Sequence, residues 1–373
     1  MLKITDQGII SRQEGRGAYM PVVTPLPDCT FIACQHVGAE LGSDDNHIVV
    51  LRSADARNWV DEGAIHLVGP AGERGCPADG YAYRGPRISR VPDGRLVLCA
   101  TRFETGDGPL FNPDSEALQR PEMLQFWSGD DGRTWSAPEP VPVDLPPERY
   151  TWNGAGCLLQ LAPDRWMYPF ETWKPEAYEG PPDQKAAALF SSDQGRTWGE
   201  LTPVADDTGG ELLFWDQMNA LLPDGRVYTM LWTHVYGTSE DLCNHWVLSD
   251  DQGRTWSEPR ATNLRGQVCA PIALPDGRVA AIYNYRHEPQ GIHLAVTEDL
   301  SHFDTDSEVV VFDAGAEATF GQTDHDNFLA EHMLIAFGKP GGVLLPDGDL
   351  LCYFWCTSGG VTHTRWVRVA VDA

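Results

Sequence analysis

The sequence predicts an all-β protein folded as a six-bladed β-propeller, and two internal repeats predict it. Three octapeptides share the pattern S-x-D-x-G-x-T-W: Ser128–Trp135, Ser191–Trp198 and Ser249–Trp256. Asp-x-Gly makes a tight hairpin turn, because Gly accepts φ > 0 and Asp bonds back to nearby backbone amides. The Thr-Trp that follows opens a strand, and the indole can pack over the turn and lock it. The second repeat is a Pro-Asp corner at Pro27, Pro92, Pro163, Pro223, Pro275 and Pro346, spaced 52 to 71 residues apart. Similarity at such a period marks a repeat architecture, in which each unit buries its apolar faces against its neighbours.

The units can be followed in order. The first turns at Pro27-Asp28-Cys29 and closes on a shortened octapeptide, Ser53-Ala-Asp55 to Trp59. The second turns at Pro92-Asp93-Gly94 into Leu96-Val-Leu-Cys-Ala100 and closes at Ser128–Trp135. The third and fourth turn at Pro163-Asp164-Arg165 and Pro223-Asp224-Gly225, and close on the other two full octapeptides. The fifth runs from Pro275-Asp276-Gly277 through Val279-Ala-Ala-Ile-Tyr283 to a second shortened octapeptide, Thr297-Glu-Asp299 to Phe303. The sixth turns at Pro346-Asp347-Gly348 into Leu350-Leu-Cys-Tyr-Phe354. Each unit therefore carries four strands, one hairpin about the corner and one about the octapeptide. The alternating segment Met1–Ile10 is expected to supply the outer strand of the blade formed by Gly342–Val371. That exchange closes the ring and makes residues 1–373 one propeller domain.

Composition narrows the partners. A formal charge of −27 repels phosphate backbones, so nucleic acid is not an expected partner. It does not exclude a small anionic substrate gripped by arginines in a cleft. No stretch approaches a membrane span. Met1–Ile10 carries Lys3 and Asp6 and lacks the apolar core of a secretory leader, so a cytoplasmic protein is expected. Nine cysteines are an odd count without framework spacing, and Cys34, Cys99, Cys157 and Cys352 lie in apolar runs where a thiol packs as a small hydrophobe. Cys352 and Cys356 have no matching Cys/His pair, and no cofactor is expected.

The octapeptide is the pattern known as the Asp-box, and the chain resembles the sialidase superfamily over nearly its whole length. The resemblance implies a funnel on the propeller axis, on the face opposite the Asp-box turns, so Asp130, Asp193 and Asp251 are read as structural. It also implies a clamp of three arginines, a Tyr nucleophile paired with a Glu, and an Asp acid. Distance to the Pro-Asp-Gly corner is the ruler for carrying these over. Arg84, in Tyr83-Arg84-Gly85-Pro86, matches the first arginine, with Arg87 as a neighbouring candidate. Arg286, ending Asn284-Tyr285-Arg286, matches the second, and the two are expected to converge on one axial cavity. No arginine occupies Gln290–Leu294. The segment Gly266–Cys269, around Gln267, has no carboxylate where the family Glu should lie, and Lys339 stands where the Tyr should. Asp107, Asp114 and Glu116 are all candidates for the acid.

Reading inward from each corner gives the residues expected around the funnel: Tyr19-Met20 with Gln35-His36; Arg84 with Arg102 and Glu104; Trp152-Asn153 with Glu171 and Trp173; Trp215-Asp216-Gln217 with Trp232 and His234; Gln267 with Asn284 and Arg286; and Lys339 with Trp355. Aromatic faces for stacking and charged forks for hydroxyl and carboxylate groups are what a sugar site requires. Glu171, set among aromatics in Met167–Lys174, suits a general acid, since an apolar setting raises a carboxyl pKa. Asp216 could face His234 and tune it for proton transfer. Asp324, His325 and Asp326, with Glu331 and His332, are metal-capable but irregularly spaced, and read as a polar loop with a metal left open.

The expected activity is that of a sialidase-like, exo-acting glycoside hydrolase on a terminal sugar, an acidic one first, with a neutral one left open. Arg84, Arg87, Arg102, Arg286, Trp173, Trp215 and Gln267 would bind the substrate, and Glu171, Asp216, His234 and Lys339 would move protons. Two other readings stand beside it. A uronate lyase would use Lys339 or His234 to abstract a proton α to a carboxylate. A non-catalytic glycan-binding propeller would need the aromatics but no carboxyl or imidazole of shifted pKa. Ordinary sialosides are not expected to be substrates. The sugar, the linkage, the stereochemical outcome and the oligomeric state are not specified.

Overall fold

The computed structural model describes residues 2–65, 80–106, 108–112, 114–154, 156–318 and 336–371, which form six sheets in a ring. The chain begins with β1 (Leu2–Ser11) and then builds the first blade from β2 (Gly17–Pro25), β3 (Phe31–Gly38), β4 (His47–Ser53) and β5 (Trp59–Ala64). The second blade starts with β6 (Tyr81–Arg90) and β7 (Leu96–Glu104). A small hairpin, β8 (Phe111–Asn112) and β9 (Ala117–Leu118), follows before β10 (Glu122–Ser128) and β11 (Glu139–Val141) complete it. In the third blade the inner strand is split into β12 (Thr151–Gly154) and β13 (Leu159–Ala162), both paired with β14 (Arg165–Trp173), and β15 (Ala186–Ser191) and β16 (Gly199–Ala205) lie outside them.

The fourth blade is β17 (Leu212–Leu221), β18 (Val227–Val235), β19 (His245–Ser249) and β20 (Arg260–Ala261). The fifth is β21 (Cys269–Ala273), β22 (Val279–Tyr285), β23 (Gly291–Thr297) and β24 (Val309–Asp313), followed by a one-turn helix α1 (Ala314–Glu317). The last blade is β25 (Phe337–Leu344), β26 (Leu350–Ser358) and β27 (Val361–Val371), with β1 antiparallel to β27 as its fourth strand. The ring closes as the alternation of Met1–Ile10 implies. The side chains of β1 alternate between half-buried and exposed, the pattern of an outer strand with one face on its blade. Among the described residues, no helix is long and apolar enough to cross a membrane.

The octapeptides hold the blades to one another. Within each turn the serine hydroxyl accepts the glycine N–H and donates to the aspartate, as in Ser191 with Gly195 (2.8 Å) and Asp193 (2.8 Å). The same aspartate accepts the threonine N–H and hydroxyl at 2.9 and 2.6 Å, and these bonds hold the Asp193 carboxyl down to about 2. The set recurs at Asp130 and Asp251. The shortened turns use Asp55 and Asp299 in the same way, each accepting two successive backbone N–H groups. Each full turn also leans on the preceding blade. Asp131 O accepts from Arg52 at 2.7 Å, Gly195 O from Gln125 at 2.9 Å and Gln252 O from Arg165 at 2.7 Å.

Gly253 shows why the turn glycine is demanding. Its φ is +77°, and an added Cβ would lie 2.6 Å from the Phe190 ring of the preceding blade. Gly348, at a Pro-Asp-Gly corner, has φ +92° but open space around the missing Cβ. A left-handed non-glycine residue costs roughly 1–2 kcal/mol, and forcing atoms into a filled interface adds about 1–3 kcal/mol. Gly348→Ala should therefore lower the thermal midpoint modestly, and Gly253→Ala at least twice as much. Equal shifts in thermal unfolding would mean that the turn does not act between blades.

Candidate active site

The inner strands of four blades carry the same irregularity at the same place. Register jumps by one extra residue between Tyr19 and Val22, Arg84 and Arg87, Trp215 and Met218, and Gly338 and Gly341. The bulged residues, Met20, Gly85, Asp216 and Lys339, have φ of 52°, 56°, 47° and 41°. A bulge redirects side chains and ends regular pairing. Here it brings Met20, Arg84, Asp216 and Lys339 to one cavity of about 150 Å³.

The other blades complete the cavity with Asn153, Glu171 and Trp173, Gln267 and Asn284, while Trp232 and Trp355 add aromatic wall. Every blade contributes, so the cavity lies where the six inner strands converge. Leu110, Phe111 and Leu118, from the β8–β9 insertion, form an apolar side together with Leu41 and Val268. Phe111 meets Trp173 edge-on at 6.1 Å. Trp173, Trp215 and His234 are stacked in parallel, with ring centroids 5.8 and 5.5 Å apart, and Trp232 stands edge-on to Trp215 at 4.6 Å.

Charge is concentrated on the polar side. Glu171 is 2 % exposed. It accepts from Trp173 Nε1 (2.9 Å), Asn153 Nδ2 (3.3 Å) and the Asp216 backbone N–H (2.6 Å). Burial, followed by the Asp216 carboxylate, pushes its pKa up to about 7, although Lys339 and the hydrogen bonds pull the other way. Lys339 Nζ forms an ion pair with Asp216 Oδ1. Arg84 makes no salt bridge among the described residues, and its buried Nε has no acceptor. Burial alone lowers its pKa, to about 10. The residue as a whole is half-buried, and a partly desolvated guanidinium without a carboxylate partner among the described residues is a place where an anionic ligand gains affinity.

Several expected residues lie elsewhere. Arg87 is buried beneath the bulge and donates to the carbonyls of Met20 and Pro86. Arg102 is bound to Glu122 at 2.5 Å and covers the Tyr81 ring, in a separate groove with Arg120 and Trp152. Arg286 follows the last residue of β22 and turns onto the next blade. Its guanidinium lies 3.8 Å from the Phe337 ring centroid and donates to Phe337 O, and burial lowers its pKa to about 9. It is not among the cavity-lining residues, so the expected convergence of Arg84 and Arg286 on the cavity is not found.

His234, 3 % exposed, faces Asp241 Oδ1 at 3.1 Å rather than Asp216, and it does not line the cavity. Glu116 accepts from Tyr236 at 3.4 Å. Asp107 and the stretch holding Asp324, His325, Asp326, Glu331 and His332 lie outside the described residues. Sequence reasoning missed Leu41, Leu110, Phe111, Leu118 and Asp241. The only signal for Leu110-Phe111 and Leu118 was apolar residues in an otherwise polar loop.

A family model described as a BNR repeat-like domain matches residues 83–320. No curated protein matches the sequence significantly. Among solved structures, a protein of unknown function from Dyadobacter fermentans is similar at 20% identity, with a TM-score of 0.75 over 100% of this chain and 99% of that one. The Hadza microbial sialidase Hz136 is similar at 16% identity and a TM-score of 0.66, over 95% of this chain and 65% of that one. An α-L-arabinanase from Penicillium chrysogenum, in complex with arabinobiose, is similar at 13% identity and a TM-score of 0.63, over 98% of both chains. At these identities the likeness is one of fold, and the fold is the sialidase-like six-bladed propeller.

The raised pKa of Glu171 has a signed consequence for stability. The folded value is about 7, against about 4.3 for a free Glu. The folded state thus holds this proton more tightly, so the associated stability is full below about pH 4 and is lost as pH rises through about 7. Gln at this position cannot ionise. The thermal midpoint of Glu171→Gln relative to the parent should become more favourable between pH 5 and pH 8. A difference that stays constant over that range, in melts at several pH values, would count against a neutral buried acid.

Proposed function

Since this chain belongs to the BNR repeat-like domain family, we propose that it is an exo-acting glycoside hydrolase that removes a terminal sugar bearing a carboxylate. The observation that supports this reading is the Glu171–Asp216–Lys339 group in one cavity with an Arg84 that has no carboxylate partner among the described residues. Glycoside hydrolysis by two carboxyl groups needs one that is protonated near neutral pH and one that is anionic. Glu171 fits the first role, because its proton is retained to about pH 7 and can pass to the departing glycosidic oxygen. Asp216, the anionic partner of Lys339, fits the second, facing the positive charge that develops on the sugar ring.

The remaining features set the substrate class. A cavity of about 150 Å³ has room for a single ring, which favours attack at a chain end. Trp173, half-buried, offers stacking surface, and the buried Trp215 and Trp232 back it. Arg84 favours a carboxylate on that ring, because charge-assisted pairing would satisfy a half-buried guanidinium whose Nε has no acceptor. A lyase needs a free base, and the two candidate bases are paired: Lys339 with Asp216, and His234 with Asp241. A buried Glu of raised pKa in the cavity favours an enzyme over a binding-only propeller.

Fluorogenic α- and β-glycosides of uronic acids, neutral pentoses and hexoses, and sialic acid provide the test. Turnover of a uronate glycoside is expected, with kcat/KM falling above about pH 7 as Glu171 ionises. Glu171→Gln should reduce kcat by roughly a thousandfold or more, in the range seen on loss of a catalytic group. Arg84→Gln should raise KM for the acidic substrate roughly 10- to 100-fold, the worth of one charged hydrogen bond. Preference for a neutral glycoside would overturn the acidic-sugar assignment, and an undiminished Glu171→Gln rate would overturn the mechanism.

A further inference from the structure

We infer that Asp241, which does not line the cavity, is the positioning residue for the wall contributed by the fourth and fifth blades. The inference rests on the glycoside-hydrolase reading of that cavity. Asp241 lies in the loop between β18 and β19, held by a β-bridge to His234, and its side chain is 9% exposed. Its carboxylate accepts three side-chain donors. Trp232 Nε1 and His234 Nδ1 reach Oδ1 at 2.7 and 3.1 Å, and Gln267 Nε2 reaches Oδ2 at 3.0 Å.

Each donor is part of the cavity wall or braces it. Trp232 and Gln267 line the cavity directly. His234 lies parallel to Trp215, 5.5 Å between centroids and 14° between planes, and Trp215 lines the cavity. Asp241 thereby fixes the angle of the Trp232 indole, the ring behind Trp215 and the rotamer of Gln267, and it links β18 to the segment before β21. Its charge also favours the charged form of the buried Arg286. A buried carboxylate with three donors is a stiff junction, because removing the acceptor strands desolvated N–H groups.

Asparagine is the informative substitution. It keeps one acceptor oxygen for Trp232 and His234 but turns an NH2 group towards the Gln267 NH2, so Gln267 must rotate. Asp241→Asn is therefore expected to remain folded and unfold cooperatively, with KM for the acidic glycoside raised about tenfold and kcat changed by less than about threefold. The near-UV circular dichroism of the Trp215–Trp232 pair should weaken. His234→Phe approaches the same junction from another residue that does not line the cavity; it should keep the stack on Trp215, raise KM severalfold and reduce the same signal.

If Asp241→Asn fails to fold, His234→Phe decides the matter alone. Unchanged KM and unchanged tryptophan signal, with only a lower thermal midpoint, would overturn the inference and leave Asp241 a purely structural residue. If the parent protein turns over no glycoside, the hydrolase reading fails separately, and the tryptophan signal by itself upholds or overturns the role of Asp241 in ordering this wall.

Discussion

Where an inner strand reaches the axis, the backbone inserts one residue against its partner strand and rotates it into the left-handed region, at Met20, Gly85, Asp216 and Lys339. Three of these four are not glycine, and each such residue costs roughly 1–3 kcal/mol unless its surroundings hold it. The surroundings do so through ring closure. With β1 clamped against β27, the inner strands cannot splay to relieve the bulges, and Gln217 fastens its own bulge to the third blade by donating to Ala187 O at 2.7 Å. Lys339 meets Asp216 and Asp216 meets Glu171 because the fourth and sixth blades carry the same bulge and the third brings Glu171, near the end of β14, to the Asp216 backbone N–H.

The cavity differs in electrostatic character from the molecule that contains it. The chain carries a formal charge of −27, yet among the described residues the charged groups lining the cavity are two cations, Arg84 and Lys339, and two carboxyls, Glu171 and Asp216, the first of which has its pKa raised to about 7. Exposed charges beyond about 10 Å are largely screened at ordinary ionic strength, whereas partly buried groups are not. The local set therefore governs what binds. Lys339 has two effects at once: it neutralises Asp216, and it limits the rise in the Glu171 pKa.

The repeat was legible because turn chemistry is local. Asp-x-Gly and Pro-Asp-Gly specify φ > 0 and hydrogen bonds within a few residues, so the octapeptides and corners located every blade. Distance from the corner singled out Arg84, Asp216 and Lys339, which line one cavity, since a bulge at a constant register preserves the count. The ruler failed where the count ends. Arg87 lies beyond the bulge and turns beneath it, and Arg286 lies past the last residue of β22, where strand alternation no longer directs a side chain. Leu110, Phe111 and Leu118 come from an insertion present in one blade, and Asp241 from a loop, so no repeat marked them. Pairing His234 with Asp216 was reasonable by strand position, but the nearer carboxylate came from that loop.

The proposed hydrolysis turns on whether Glu171 holds a proton at neutral pH. Protein labelled with 13C at glutamate side-chain carboxyls allows Glu171 to be assigned by comparison with Glu171→Gln and titrated directly. A midpoint near 7 is expected, shifting further upward in Lys339→Met, where the cation that favours the anionic form is gone. A midpoint near the ordinary value of about 4.3, unmoved by that substitution, would contradict the account.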